Sequence, residues 1–448
     1  MAMIQVALRS EREHCAFALR SLISLRWPLT SLRRSRGAAL ISFDRLPLSS
    51  PAAVSMTPLE RRASGWLASI FGLRMLGLFL ILPVFALYAP LLPGGATSYQ
   101  IGLAIGIYGL SQALLQVAFG TASDRFGRKP VIAFGLAIFA LGAVISALSE
   151  SVAGIVIGRA IQGAGAVSSA VSAFIADSTR AEVRTKAMAM VGGTIGIVFA
   201  LSLVIAPPLT AWIGLSGLFW LTAVLAALGI VVILWVVPAA PVVQRDADEV
   251  VHHGDVLFNP QLLRLNVGAF VLHLCQTALF VVVPPLLVSR GALPAADHWW
   301  VYLPVMAISF VLMVPPMLAA ERRGKTREVF LAAIALLVVA MMFAPWAVNW
   351  ALAGMAGFLL LFFLAFNLLE AMQPSLVSKL APPQVKGFAM GVYGTTQSAG
   401  LALGGFIGGS LARHFGDNSV FYVCAALAAL WFVAAYSMQP PRFEKKGS

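Results

Sequence analysis

Glu370 stands alone as a carboxylate well inside an apolar run, nine residues before Lys379, and His273 lies nine residues after Arg264 in another such run. At the α-helical rise, each would sit about 13 Å from the charged end of its helix. A carboxylate is costly to keep ionised at that depth in a bilayer, so a group that gains and loses a proton there fits a reversible carrier, with an imidazole as partner. The competing readings are a locked interhelical hydrogen bond for Glu370 and plain packing for His273.

Two arginines share this setting. Arg74 is about a dozen residues into the first apolar run, where it could neutralise an anionic substrate or Glu370 itself. Arg159 is seven residues into the fourth, about 10 Å from the nearer edge, and must face a partner or a water-filled cavity, or snorkel outward. Polar residues recur at helical spacing beside them. Tyr108, Gln112 and Gln116 form one stripe, His273, Gln276 and Thr277 a second, and Asn367, Glu370 and Pro374 a third. Such stripes face protein or water, either as substrate contacts or as interhelical glue. Gln162 and Gln397 complete the candidate cavity residues.

These residues need long apolar helices to hold them. The chain has 448 residues, 60% hydrophobic and 11% charged, a composition of membrane proteins. Twelve windows are long enough to cross a bilayer: 64–92, 99–121, 130–149, 152–177, 185–211, 215–237, 263–289, 298–320, 328–348, 350–378, 386–412 and 417–438. The net charge of +13 reflects topology rather than nucleic-acid binding. Of the basic residues in connections and termini beyond residue 55, 19 fall on one face and two, Arg290 and Arg413, on the other. The positive-inside rule makes the first face cytoplasmic, with both termini there.

Residues 1–55 carry eight arginines and no uninterrupted span; an over-extended start ahead of Met56, a disordered basic tail and a targeting segment all fit. Residues 56–237 and 263–438 read as two six-helix bundles joined by a polar linker at 238–262, with a short cytoplasmic tail at 439–448. The adjacent His252 and His253 belong to that solvated linker, since neighbouring imidazoles cannot easily share one ion. Three cysteines give no disulfide framework, and no metal or cofactor is expected. A phosphate-cradling loop and the signatures of intramembrane hydrolysis are absent from the sequence, so neither ATP nor enzymatic chemistry is expected.

The two bundles echo one another. Residues 120–129, with Asp124, Arg125, Gly127, Arg128 and Lys129, return 197 positions later as Glu321-Arg-Arg-Gly-Lys325. Val183-Arg-Thr-Lys-Ala-Met188 returns 202 positions later as Val385-Lys-Gly-Phe-Ala-Met390. Both echoes pair the same helices, two with eight and five with eleven, as in a duplicated six-plus-six transporter.

Gly120-x-x-x-Asp124-Arg125-x-Gly127-Arg128-Lys129 resembles the loop between helices two and three of the major facilitator superfamily, with Ala122 in place of the usual Leu. Gly120 would let a neighbouring helix approach, Asp124 could accept hydrogen bonds from a helix N-terminus, and the basic group could pair with a carboxylate. The resemblance implies that Asp124 faces helix eleven near Lys386-Gly387 and that Arg128 reaches Asp177. Together these would latch the outward-facing state. Arg125 and Lys129 could equally serve topology alone. Gly158-Arg159-Ala-Ile-Gln162-Gly163 resembles the helix-four motif of proton-coupled members, which implies a part in proton coupling for Arg159, grouped here with Glu370, His273 and Arg74. The helix-five antiporter motif is incomplete: Gly192, Gly193 and Gly196 are present, but the usual Gly-Pro reads Ala206-Pro207-Pro208.

Over residues 56–438 the chain looks most like one bacterial inner-membrane member of the family. The likeness rests on Thr57-Pro-x-Glu60-Arg-Arg, Leu73-Arg74-Met75-Leu76-Gly77, Ile105-Gly-Ile-Tyr108-Gly and Phe366-Asn367-Leu-Leu-Glu370. That member has a further C-terminal soluble domain, for which the ten residues after Met438 leave no counterpart. The expectation is an all-α membrane protein with twelve helices, monomeric, exchanging a small lipophilic or drug-like molecule for protons. An importing symporter or facilitator, and a non-transporting sensor or scaffold, are the rivals.

Overall fold

The structure is a computed structural model in which residues 55–238, 254–382 and 386–438 are described. Every regular element among them is helical. The expectations for residues 1–54, for most of the linker with its His pair, and for the tail lie outside the described residues.

Length and hydropathy alone mark nine candidate spans among the described residues. Two are too long for a single crossing: Lys186–Val236 has 51 residues and Thr326–Leu380 has 55, where roughly 20 suffice. The first is divided at Gly214, whose φ of 72° and ψ of 175° are non-helical. The second is divided at Val348–Trp350 and at Ala351, with φ 51°. With Lys386–Phe415, a 30-residue helix, the crossings number twelve.

In chain order they are α1 (Pro58–Leu91), α2 (Ser98–Phe126), α3 (Arg128–Leu148), α4 (Val152–Asp177), α5 (181–213) and α6 (215–231). The second half follows as α7 (Pro260–Ser289), α8 (Trp299–Arg322), α9 (Thr326–Ala347), α10 (Ala351–Leu380), α11 (Lys386–Phe415) and α12 (Asp417–Tyr436). The expected twelve runs are found, with two internal departures. α1 is interrupted between Phe79 and Leu82, just ahead of Pro83, which lacks an N–H and crowds the carbonyl of Phe79. α4 stops at Ala164 and restarts at Ser168. There Gly165 lies so close to the Gly135 carbonyl and Phe139 that a Cβ would collide with both.

The duplication is written in the backbone. Gly127 and Gly324, 197 residues apart, both have positive φ, 93° and 67°, and both end the helix before a charged turn. Gly214 and Gly416, 202 residues apart, also have positive φ, 72° and 82°. Only glycine reaches such angles without a steric cost. Packing repeats too: α3 lies on α4 as α9 lies on α10, and α2 lies on α4 as α8 lies on α10.

The halves meet along glycine. Gly102, Gly106 and Gly109 of α2 face Ala402, Gly405 and Gly409 of α11, and a Cβ on Gly109 would come within 2.7 Å of the Ala402 nitrogen and the Ser398 carbonyl. The next stripe of α11, Gly400, Gly404 and Gly408, instead seats α7 at Phe270, Leu274 and Ala278, as expected for close helix packing. The α2–α11 seam lies toward the end remote from the charged loops. Toward the charged end, a Cβ on Gly192, Gly193 or Gly196 of α5, or on Gly391 of α11, would meet no atom of the described residues within 4 Å. The described halves are thus closed at the far end.

Candidate functional site

At the charged end, Gly127 turns the chain sharply so that Arg128 opens α3 beside the last turn of α2. Its guanidinium gathers three partners: Asp124 at 2.6 Å, Asp177 at 2.8 Å and the Ser123 hydroxyl at 2.6 Å. The geometry uses the fork of arginine on two carboxylates at once. Lys129 donates to the Val237 carbonyl at 2.5 Å, and Arg125 lies over the Phe126 ring at 5.5 Å. Gly120 is where α2 passes Ser169 of α4: a Cβ would stand 3.3 Å from its hydroxyl. All three partners of Arg128 belong to the N-terminal half. The pair with Asp177 therefore does not itself bridge the halves, and it is formed while the far end is closed. The contact expected from Asp124 to Lys386-Gly387 falls on side chains outside the described ones.

Deeper in the N-terminal half, two guanidiniums converge on one tyrosine. Arg74 donates to the Tyr108 hydroxyl at 2.6 Å, to Gln112 Oε1 at 2.5 Å and to the Ser168 hydroxyl at 3.0 Å. Arg159 stands 4.6 Å above the Tyr108 ring, donates to Gln162 Oε1 at 2.9 Å and makes a longer bond to the Ala104 carbonyl at 3.4 Å. Each arginine is 1% exposed, so Arg159 does not snorkel to the edge. The break in α4 places Gln162 just before it and Ser168 just after. Gly163 makes this possible, because a Cβ there would strike the Tyr108 backbone. Of the two roles open to Arg74, neutralising Glu370 is not the one seen: its partners lie on α2 and α4. The stripe of α2 faces protein throughout, with Tyr108, Gln112 and Gln116 all buried. Gln112 also crosses between halves, donating through Nε2 to the Ser398 hydroxyl at 2.7 Å.

In the C-terminal half the acid and the imidazole do meet. His273 Nε2 is 3.5 Å from Glu370 Oε2, and Gln397 of α11 joins them, its Nε2 at 3.2 Å from His273 Nε2 and 3.4 Å from Glu370 Oε1. Gln397 further reaches the Tyr393 hydroxyl at 3.4 Å, which donates to Gln373 Oε1 at 3.4 Å. His273 Nδ1 lies 2.9 Å from the Ala269 carbonyl. A carbonyl accepts only, so Nδ1 carries a proton and Nε2 is the position that can gain one. Nε2 is the nitrogen facing the carboxylate. Asn367 turns instead to Ser309 of α8 at 3.0 Å, and Gln276 is buried on α7.

Between the two clusters lies an aromatic set from both halves. Phe199 of α5 has ring neighbours Phe79 at 5.0 Å, Phe366 at 5.6 Å, Phe363 at 6.1 Å and Phe280 at 6.2 Å. Beside it a cavity of about 10 Å³ is lined by Leu78, Phe79, Leu82, Ile105, Tyr108, Arg159, Thr277 and Leu401. That is room for a single water.

Sequence reasoning did not find the ion pair of Glu60 with Arg180. Glu60 accepts from the Arg180 backbone nitrogen at 3.0 Å and side chain at 2.9 Å, tying the start of α1 to the start of α5. It also closes a capping box with Thr57, and the spacing Thr57-x-x-Glu60 was the available signal. Ser168 and Ser398 were missed as well, since a serine in an apolar helix carries no such mark.

A sequence model of the Major Facilitator Superfamily matches residues 67–404 and 265–448. The inner membrane transport protein YajR of Escherichia coli K12 is 46% identical over 391 residues, covering 87% of this chain and 86% of that protein. The multidrug resistance protein MdtH of Aeromonas salmonicida is 26% identical over 376 residues, covering 81% and 90%. A bacterial homologue of the human lysosomal transporter Spinster superposes with a TM-score of 0.68 at 13% identity, over 85% of this chain and 96% of that one. With twelve helices in two repeated halves, the signature loop folded around Arg128 and matches of this extent, the chain belongs to the major facilitator superfamily of multi-pass membrane transport proteins.

Proposed function

We propose that the chain is a monomeric secondary transporter of the bacterial inner membrane, working by alternating access and exporting a small lipophilic or drug-like molecule in exchange for protons. The observation that carries this reading is the Glu370–His273–Gln397 cluster. One proton can be held at Glu370 or at His273 Nε2, and Gln397 can turn its amide between the two. Because Gln397 lies on α11, and α11 also forms the seam with α2, a change of protonation is felt at the contact between halves. The aromatic set suits an apolar cargo, and the name of MdtH points to drug-like molecules. The charge census supports a cytoplasmic position for the latch end. On that orientation, closure at the far end belongs to the inward-facing part of the cycle.

The test is the direction of accumulation. In proteoliposomes with an acidic lumen, antiport drives the substrate chosen by a counterflow screen into the lumen as protons leave. Accumulation in an alkaline lumen instead identifies a proton symporter, a reading favoured by Ala206-Pro207-Pro208 in the helix-five motif. Ligand binding with counterflow at background identifies a non-transporting sensor.

A further inference from the structure

We infer that Arg74 and Arg159, gathered around Tyr108, form a binding site for an anionic group on the transported molecule. This rests on the transporter reading above and adds the charge class of its substrate. Both guanidiniums are 1% exposed. Among the described residues, neither has a carboxylate within ion-pair distance; their partners are Tyr108, Gln112, Ser168, Gln162 and a backbone carbonyl. Neutral acceptors orient a buried cation without neutralising it, and two such cations side by side are costly inside a membrane protein.

Glu370 does not supply the missing charge, because its contacts are His273 and Gln397. Two hydrogen-bond donors at the cluster also lack an acceptor: Arg74 Nε and Gln162 Nε2 are buried without a partner. An oxyanion supplies both the charge and the acceptors. Arg159 and Tyr108 line the cavity, whose other walls are mostly aliphatic and aromatic. The fitting ligand is therefore amphipathic, an apolar body with a carboxylate or sulfonate head. At about 10 Å³ the cavity admits such a ligand only when the halves part.

Equilibrium binding to the purified full chain, reconstituted in lipid nanodiscs, tests this with matched probes: 1-naphthoate against 1-naphthamide, and naphthalene-1-sulfonate against its sulfonamide. At least one anion should bind at least ten-fold tighter than its neutral counterpart. Arg74→Gln and Arg159→Gln should each remove that preference. Gln162→Glu should remove it too while retaining both arginines, because it places a carboxylate beside Arg159, and its thermal stability should be unchanged or raised. Equal affinities within both pairs, binding by neither anion up to millimolar concentration, or a preference that survives Gln162→Glu in a folded protein overturns the site. Binding of naphthoate without counterflow keeps the site and removes the transporter reading. Counterflow of a neutral or cationic compound, with no competition from either anion, keeps the transporter and removes the site.

Discussion

The two halves share a backbone and divide the chemistry. Gly127 and Gly324, and Gly214 and Gly416, make matching turns with positive φ, and the helices behind them pack in matching pairs. Yet the ionisable groups within the helices differ in kind. The N-terminal half holds two guanidiniums on neutral partners, whereas the C-terminal half holds a carboxylate with an imidazole. The backbone turns are set by conformations only glycine reaches easily, so duplication preserves them. Side chains facing the midplane are free to diverge, and on the proposed function one half addresses a ligand and the other a proton. Gln112 to Ser398 links the two directly, being held by Arg74 at one end and bonded to α11 at the other.

The contrast can be broken where the halves meet. A Cβ on Gly405 would come within 2.6 Å of the Gly106 nitrogen. Gly405→Val should therefore lower counterflow at least ten-fold in a chain that still elutes as a folded protein. Near-normal counterflow would mean that the seam is not a working contact.

The shared backbone predicts symmetric costs. Gly127→Ala and Gly324→Ala should each destabilise by about 1–3 kcal/mol, visible as lowered melting temperatures in detergent. A loss at only one of them would show that the repeat is not equivalent. Glu60→Ala removes a capping box and an ion pair found in one half, and should lower stability by about 1–2 kcal/mol. Its melting curve should shift while counterflow per folded molecule stays within two-fold.

Smaller still is Ser398→Ala, which leaves the Gln112 amide without its acceptor across the seam. It should cost about 1 kcal/mol and change the rate of exchange more than substrate affinity, as read from counterflow at several concentrations. Arg125→Ala, removing a cation that rests on Phe126, should leave transport and melting unchanged within error. A clear loss of either would give Arg125 a part in the latch.

Much of this was legible in sequence because it depends on local period or on a repeated pattern. Twelve apolar runs, the 197- and 202-residue echoes and the polar stripes follow from composition and spacing. Glu370 and His273 could be paired because each was an isolated ionisable group at matching depth, and Arg128 with Asp177 through the family motif. What periodicity cannot provide is the neighbour. Arg74 has no other charge within three turns along its own helix, and its partners lie 34, 38 and 94 residues away. The break in α4 contains no proline; Gly165 to Val167 leave the helix where Gly165 presses on α3, a tertiary cause. The α2–α11 seam was hidden because glycine scattered through an apolar helix reads the same whether it faces lipid, its own bundle or the other half.

Proton-driven transport by Glu370→Gln, compared with its own counterflow in the same proteoliposomes, tests the central division of labour most directly. Exchange needs the binding half and the rocking motion but no net proton movement. Counterflow should therefore persist while accumulation driven by a pH gradient falls to background. Accumulation equal to that of the unmodified chain would contradict the assignment of the proton to the C-terminal half.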